Sequence, residues 1–440
     1  MSRKWNMLWL VLALVLLGGC SLRTLDQLYQ VPKRPDDYSN LQSAIDRSLG
    51  NLEYCAPLSG ENLQAVQMAD LDGDGSQEYL LFAKGGTEKP LLILIFHMID
   101  GSYALWDTIE SYGSAFDMVE YAQMDDRPGF ELIVGCQISE QVARSVSVYS
   151  FWYGHATALM DASYTRFLSC DFGDDGVNEL LVLRPGEEDE DDGLAELYSY
   201  QNGSMARLEQ VQMSGPAERM KRIVAGKLHG GQPAVYVASS RGDDSAVTDI
   251  FSVVDGVFTN VSRMNEAGAD IKMLLDQDIY ADDLDGDGVL ELPSLVEMKH
   301  EGNRTSGPQY LIRWYSVTSQ GQQIDKLYTL HNLQNSWYMV LDKQWAVRVT
   351  VQQQGSACEF YVWDEGYTET EKIMTVYYLA GPSREELASK HNRFVVYKGA
   401  SALYAAHLES NAEAYGITQD RVINSFRLLL QDRKTQEVSK

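Results

Sequence analysis

The stretch Asp70-Leu71-Asp72-Gly73-Asp74-Gly75-Ser76-Gln77-Glu78, followed at once by Tyr79-Leu80-Leu81-Phe82, decides how this chain reads. It recurs as Asp283-Leu284-Asp285-Gly286-Asp287-Gly288-Val289-Leu290-Glu291 before Leu292, and in worn form as Asp171-Phe172-Gly173-Asp174-Asp175-Gly176-Val177-Asn178-Glu179 before Leu180-Leu181-Val182-Leu183. Two further copies keep the frame but have lost the alternating acid pattern, at Met124–Val134 and Lys227–Val237. With Asp70, Gln123, Asp171, Lys227 and Asp283 as equivalent first residues, the steps are 53, 48, 56 and 56 residues. A period of about fifty residues signals a propeller or an array of similar units.

A second marker keeps the same phase. Asp100-Gly101, Tyr153-Gly154, Asn202-Gly203 and Asp255-Gly256 carry glycines 22 to 24 residues after Glu78, Glu131, Glu179 and Ala234. Asp-Gly and Asn-Gly favour hairpin turns in which both central residues take positive φ. Apolar and aromatic runs flank them, such as 91–98 and 103–109 in the first cell and 195–200 in the third. The fifth cell follows loosely, with its candidate turn near Gly321, 30 residues past Glu291. Each cell reads as an acidic loop and about four short strands, the content of a propeller blade. The expected fold is mainly β: a propeller-like array of about five four-stranded blades.

An Asp-x-Asp-x-Asp-Gly loop sets carboxylates at alternate positions of a curling backbone, and a hard dication such as Ca²⁺ takes about six to eight oxygens. In the first loop the expected ligands are Asp70, Asp72, Asp74, the Ser76 carbonyl and Glu78. In the fifth they are Asp283, Asp285, Asp287, the Val289 carbonyl and Glu291. The third loop keeps only Asp171, Asp175 and Glu179, with Gly173 in place of the second acid, and is the weaker candidate. A helix-flanked calcium loop would close its ligand set at the twelfth residue, whereas here the ninth opens a strand-like run. Neither intact loop contains a basic residue, so the acids are expected to hold uncompensated charge that calcium neutralises. Such ions are expected to stitch the blades rather than to take part in catalysis.

These loops resemble the FG-GAP or VCBS repeats of integrin-alpha-like propellers, over roughly residues 60–335. That resemblance implies a ring of blades with calcium loops; five cells are counted here, against the seven blades common in that family.

At the N-terminus, Arg3 and Lys4 precede an apolar run from Met7 to Leu17, too short to span a bilayer as a stable helix. It ends in Leu17-Gly18-Gly19-Cys20, which resembles the lipobox of bacterial lipoproteins and implies cleavage before Cys20, lipid on its thiol, and residence on the extracytoplasmic face of the cell membrane. Residues 1–19 are expected as signal peptide and 20–38 as a tether. A leading helix over 39–49, with Ser39 and Gln42 as a capping box, introduces the repeats to residue 335.

From 336 to 440 the pattern changes. Strand-like runs at 345–351, 358–363, 372–378, 394–397 and 402–408 alternate with two helices. One starts at Ser383 with Glu386 completing a capping box. The other starts near Thr418 and buries Val422, Ile423, Phe426, Leu429 and Leu430. This predicts a small separate α+β domain, with two irregular blades as the alternative.

The net charge is −27, and −29 without Arg3 and Lys4. Such a field repels nucleic acid and anionic lipid, and leaves cations, proteins or glycans as partners. The acid run 187–192 reads as a solvated loop. Beyond Cys20, Cys55, Cys136, Cys170 and Cys358 show no disulfide cadence, with one bridge possible. No zinc spacing, nucleophile elbow, phosphate loop or dinucleotide fingerprint occurs, so no catalytic residue is assigned. The expected role is a lipid-anchored binding or scaffold protein with calcium-stabilised blades; the alternative is an enzyme acting on extracellular polysaccharide or peptide.

Overall fold

The computed structural model describes residues 36–429, apart from 86–88, 139–143, 187–191, 242–244, 265–269, 273–278, 300–308, 342, 365 and 367. The expected signal peptide, Cys20, the tether to residue 35 and the acids 187–191 lie outside the described residues. Among the described residues no helix is long and apolar enough to cross a membrane.

Six antiparallel sheets follow one another along the chain. The first joins Val66–Ala69, Glu78–Lys84, Leu91–Ile99 and Ser102–Ser111, with Glu53–Tyr54 extending its first strand. The second holds Ala115–Ala122, Glu131–Gln137, Arg144–Ser150 and Thr157–Ser163. The third holds Arg166–Cys170, Glu179–Arg184, Leu194–Gln201 and Ser204–Gln212. The fourth is built from Met220–Lys227, Pro233–Ser240, Ser245–Val254 and Val257–Asn260, with Asp270–Lys272 added beside the third strand. In the fifth sheet the first strand shrinks to a bridge between Asp282 and Glu291, before Leu292–Glu297, Tyr310–Val317 and Gln323–Asn332. The array of about five blades read from the sequence is therefore present, in a mainly β, propeller-like fold.

The second strand of each blade shows why the sheets stack. In Glu78–Lys84, Leu80, Leu81, Phe82 and Ala83 are all fully buried. Because side chains alternate along a strand, Leu80 and Phe82 meet Leu132 and Val134 of the second sheet, while Leu81 and Ala83 meet the leading helix. The pattern repeats: Ile133 packs with Leu180 and Val182, Leu181 and Leu183 with Val235 and Val237, and Ala234 and Tyr236 with Leu292 and Tyr315. Strands buried on both faces read as unbroken apolar runs, which is how they appear in the sequence.

Helices cover both ends of the stack. Asp36–Leu49 buries Leu41, Ala44 and Ile45 on the first sheet. Arg384–Ala388 lays Ala388 against Leu379, Leu403 and Ala405 of the sixth. Among the described residues no apolar cluster joins the first sheet to the sixth.

The C-terminal segment forms the sixth sheet, from Val349–Gln354, Ala357–Trp363, Thr370–Ala380, Ala402–Leu408 and Phe394–Lys398, with short helices. Its core is continuous with that of the fifth sheet, through Leu330, Trp337 and Met339 on one side and Phe360, Val376 and Tyr404 on the other. The strand Trp337–Leu341, just past the expected boundary at 335/336, adds to the outer edge of the fifth sheet.

Four local expectations are corrected. The leading helix starts at Asp36, so Ser39 lies inside it and not at its start, and the Gln42 amide bonds Asp46. Ser383 makes no side-chain cap: its backbone, at φ −90° and ψ 9°, is not in the extended conformation a cap needs, and the Glu386 carboxylate pairs with Lys390. Trp345 belongs to a helical turn, Lys343–Ala346, and the strand begins at Val349. Thr418 does cap its helix, accepting the Arg421 N–H, but the helix stops at Ser425 rather than running on through Leu430. Phe426–Leu428 becomes a strand on the open edge of Trp337–Leu341, where Phe426 stacks 5.4 Å from Trp337. Residue 430 lies outside the described residues.

Candidate metal centre

The acidic loops join the first and second strands of their blades, and the glycine turns join the third and fourth. In an antiparallel meander both kinds of loop emerge at the same end. Asp100-Gly101, Asn202-Gly203 and Asp255-Gly256 have positive φ at both residues, as the hairpin reading requires. Tyr153-Gly154 does not: only Gly154 is left-handed, within a longer connection from Phe151 to Ala156.

One interaction organises four of the five loops. The carboxylate of the ninth residue turns back and accepts the N–H of the second: Glu78 from Leu71 (2.8 Å), Glu131 from Met124 (2.8 Å), Glu179 from Phe172 (3.0 Å) and Glu291 from Leu284 (3.1 Å). Burial pushes all four carboxyls above their ordinary pKa, against the pull of that N–H. In the fourth loop, which has no glutamate, the Leu228 N–H finds the Gln232 carbonyl. Glu131 makes the same bond in a loop whose first and fifth residues are Gln123 and Arg127 instead of aspartates, so the ninth acid first serves the loop's shape.

The first acid shapes the turn. Asp70 accepts the N–H groups of Gly73 and Gly75; Asp171 those of Asp175 and Gly176; Asp283 those of Gly286, Asp287 and Gly288. Asp74 accepts from the Ser76 N–H and Asp287 from the Val289 N–H, which holds both carboxyls below the usual carboxylate range. The loops are also stitched in file. The eighth residue's N–H reaches the first residue's carbonyl in the preceding loop, from Phe130 to Asp70, Asn178 to Gln123 and Leu290 to Lys227.

Oxygens about 2.4 Å from one calcium ion lie no more than about 4.8 Å apart. Within that limit the structure brings together Asp70, Asp72 and Asp74 in the first loop, and Asp283, Asp285 and Glu291 in the fifth. Both clusters can hold a metal ion. Glu78 groups with Asp72 and His97, whose Nδ1 lies 2.9 Å from Glu78 Oε1. Among the described residues Asp171, Asp175 and Glu179 do not converge in this way.

Sequence reasoning missed the cations. It found no basic residue inside the fifth loop, yet Lys326 enters from Gln323–Asn332. Its Nζ lies 3.2 Å from Asp287 Oδ2 and 3.6 Å from both Asp285 Oδ2 and Glu291 Oε1. Burial would lower the pKa of this ammonium, but the hydrogen bond to Asp287 and the charges of Asp285 and Glu291 raise it above the ordinary lysine value. The charge of the fifth loop's four acids is therefore partly compensated, by one lysine, where none was expected. In the first loop, among the described residues, no lysine or arginine pairs with Asp70, Asp72, Asp74 or Glu78, and the basic residue beside it is His97. Lys326 sits at a β-bulge that recurs in four blades, where Trp106, Leu159, Leu208 and Lys326 are the extra residues of their strands. The signal was hidden because Trp106 and Leu159 follow their ninth residue by 28 positions and Leu208 by 29, whereas Lys326 follows by 35.

The second loop also supplies its own cation. Arg127, at the fifth position, stands 3.8 Å from buried Asp125, with the rings of Trp152, Tyr153 and Tyr200 5.5 to 5.7 Å from its guanidinium. Trp152 and Tyr153 are 46% and 67% exposed. The four cysteines described are free, and burial pushes Cys136, Cys170 and Cys358 up to about 12, so they are inert core thiols.

Replacing Glu131 with Ala leaves the buried Met124 N–H without a partner, at an expected cost of about 1–3 kcal/mol; Glu131→Gln keeps an acceptor and costs less. Urea melts with and without chelator check this, and the loss is expected to be the same in both.

No family model matches this chain, and no curated protein matches it in sequence. Among solved structures it is similar to a rhamnogalacturonan lyase of Bacillus licheniformis at 11% identity, over 80% of this chain and 90% of that one, with a TM-score of 0.30. A rhamnogalacturonan lyase, YesW, aligns at 10% identity over 73% of this chain and 83% of that one, with a TM-score of 0.29. A Lactobacillus plantarum protein aligns at 10% identity over 72% and 86%, also at 0.29. At this level the likeness says nothing of substrate or activity.

Proposed function

We propose that this chain is a lipid-anchored, extracytoplasmic binding or scaffold protein, tethered through Cys20 and presenting the loop end of its blades to a protein or glycan ligand. The observation that carries the binding half is the composition of that end. Loops of successive blades are stitched side by side there, and the exposed rings of Trp152 and Tyr153 flank Arg127. Aromatic rings around a guanidinium make a contact surface that is apolar in area and polar at its tip. A small cleft lined by Arg222, Tyr236, Thr248 and Tyr280 among others has no interior room, where a buried small ligand needs roughly 300–1,000 Å³. A rim suits a macromolecular partner better than such a cleft does.

The ion in this reading is calcium at the first loop, held by Asp70, Asp72 and Asp74 with the Ser76 carbonyl, and it is structural. All of these donors are oxygens, which suits a hard cation. Extracellular calcium sites have Kd on the order of 10⁻⁴ to 10⁻³ M, so millimolar calcium stabilises such a site by about 1 kcal/mol. The lipobox-like Leu17-Gly18-Gly19-Cys20 carries the anchoring half.

Two experiments test the halves separately. Cys20→Ala is expected to release the protein from the membrane fraction or block its maturation; a variant processed at the same site and still membrane-bound contradicts the anchor. For the rim, a native-envelope extract and an array of cell-surface glycans are probed with the wild type and with Trp152→Ala/Tyr153→Ala. A loss of retained ligand of tenfold or more is expected, and undiminished retention by the double variant contradicts the rim as the binding surface.

A further inference from the structure

The first and fifth loops match at every acidic position, yet their basic neighbours differ: His97 lies beside Glu78 in the first. The first has no lysine or arginine partner among the described residues. The fifth has Lys326, with three carboxylate oxygens within 3.6 Å of its Nζ. Asp285 and Glu291 are also members of the group whose oxygens converge closely enough for a metal. Glu291 is 1% exposed, and its Oε1 is buried without a hydrogen-bond partner and aimed at the ammonium.

We propose that Lys326 is the built-in cation of the fifth loop: its ammonium occupies the place of a divalent ion, so the chain takes up calcium at the first loop alone, and removing the amine opens a second site. This rests on the reading of the first loop as a calcium site only for the wild-type count. The bulge supplies the means. An extra residue in the fourth strand re-aims its side chain, and in each of the four blades the bulge faces the residue paired with the one after the ninth glutamate: Phe96, Tyr149, Tyr198 and Tyr315. The corresponding residue beside the first loop is Trp106, which brings no charge. The second loop answers one of its acids in its own way, by placing Arg127 next to Asp125. A lysine and a divalent ion differ in a way that matters outside the cell: the lysine stays at any calcium concentration.

The test is equilibrium dialysis of the detergent-solubilised full chain against radiolabelled calcium, run to saturation. The wild type is expected to hold one ion per chain, lost in Asp72→Asn and kept in Asp285→Asn. Lys326→Met, which keeps the length of the stem, is expected to hold two, the second lost when Asp285→Asn is added. Its melting-temperature gap between calcium and chelator is expected to be about twice that of the wild type. A wild-type ion that disappears in Asp285→Asn overturns the proposal without recourse to any Lys326 variant. So does a folded Lys326→Met that gains no ion. A wild type that binds none, with Lys326→Met binding one, overturns the first-loop reading and leaves the role of Lys326 standing.

Discussion

A buried carboxylate folded back onto a buried N–H is what the rest of this structure depends on. Withdrawing a carboxylate from water is costly, and so is leaving a backbone N–H without a partner; joining the two satisfies both. Glu78, Glu131, Glu179 and Glu291 each close a nine-residue loop in this way. The closure sends the second residue inward, so that Leu71, Met124 and Phe172 are buried. The ninth residue is also where the second strand begins, and that strand is the one buried on both faces. One hydrogen bond thus links the turn, the apolar anchor and the start of the blade's most buried strand.

The same bond leaves the remaining acids free for other work. In the first loop Asp70, Asp72 and Asp74 converge on one point, in the second an arginine takes the fifth position and pairs with Asp125, and in the fifth a lysine arrives from another strand. The loops share one backbone form and solve their charge differently. At three junctions, first to second, second to third and fourth to fifth, the eighth N–H of one loop bonds the first carbonyl of the preceding one, so neighbouring loops support each other, as in other repeat arrays where contacts are mainly between adjacent units.

Much of this was legible in the sequence, because the repeat and its turns are local. The fifty-residue period, the positive-φ pairs Asp100-Gly101, Asn202-Gly203 and Asp255-Gly256, and the apolar second strands all stand in one line of text. What depends on contact between distant segments was not legible. Phe426 has the spacing of a helical core residue, but the open edge beside Trp337 makes it a strand. Ser39 and Ser383 have the capping-box pattern, but the leading helix starts before Ser39 and the backbone at Ser383 is not extended, so neither cap forms. Lys326 lies 35 residues from the acid it meets, behind an insertion that disguises its equivalence to Trp106, so no reading of the nine-residue loop finds it. The helices at both ends of the stack were seen as elements, and their role in covering exposed blade faces emerges only from packing.

If the carboxylate closure governs the loops, and metal or lysine only tunes them, then the closure holds in every loop whatever its charge. Amide hydrogen exchange at Leu71, Met124, Phe172 and Leu284 reads this directly, because exchange requires the loop to open. The structure predicts slow exchange at all four, Met124 included, with calcium and with chelator alike. Fast exchange at Met124 and Phe172, with protection at Leu71 that vanishes on chelation, would contradict it and make the ion rather than the glutamate the organiser of these blades.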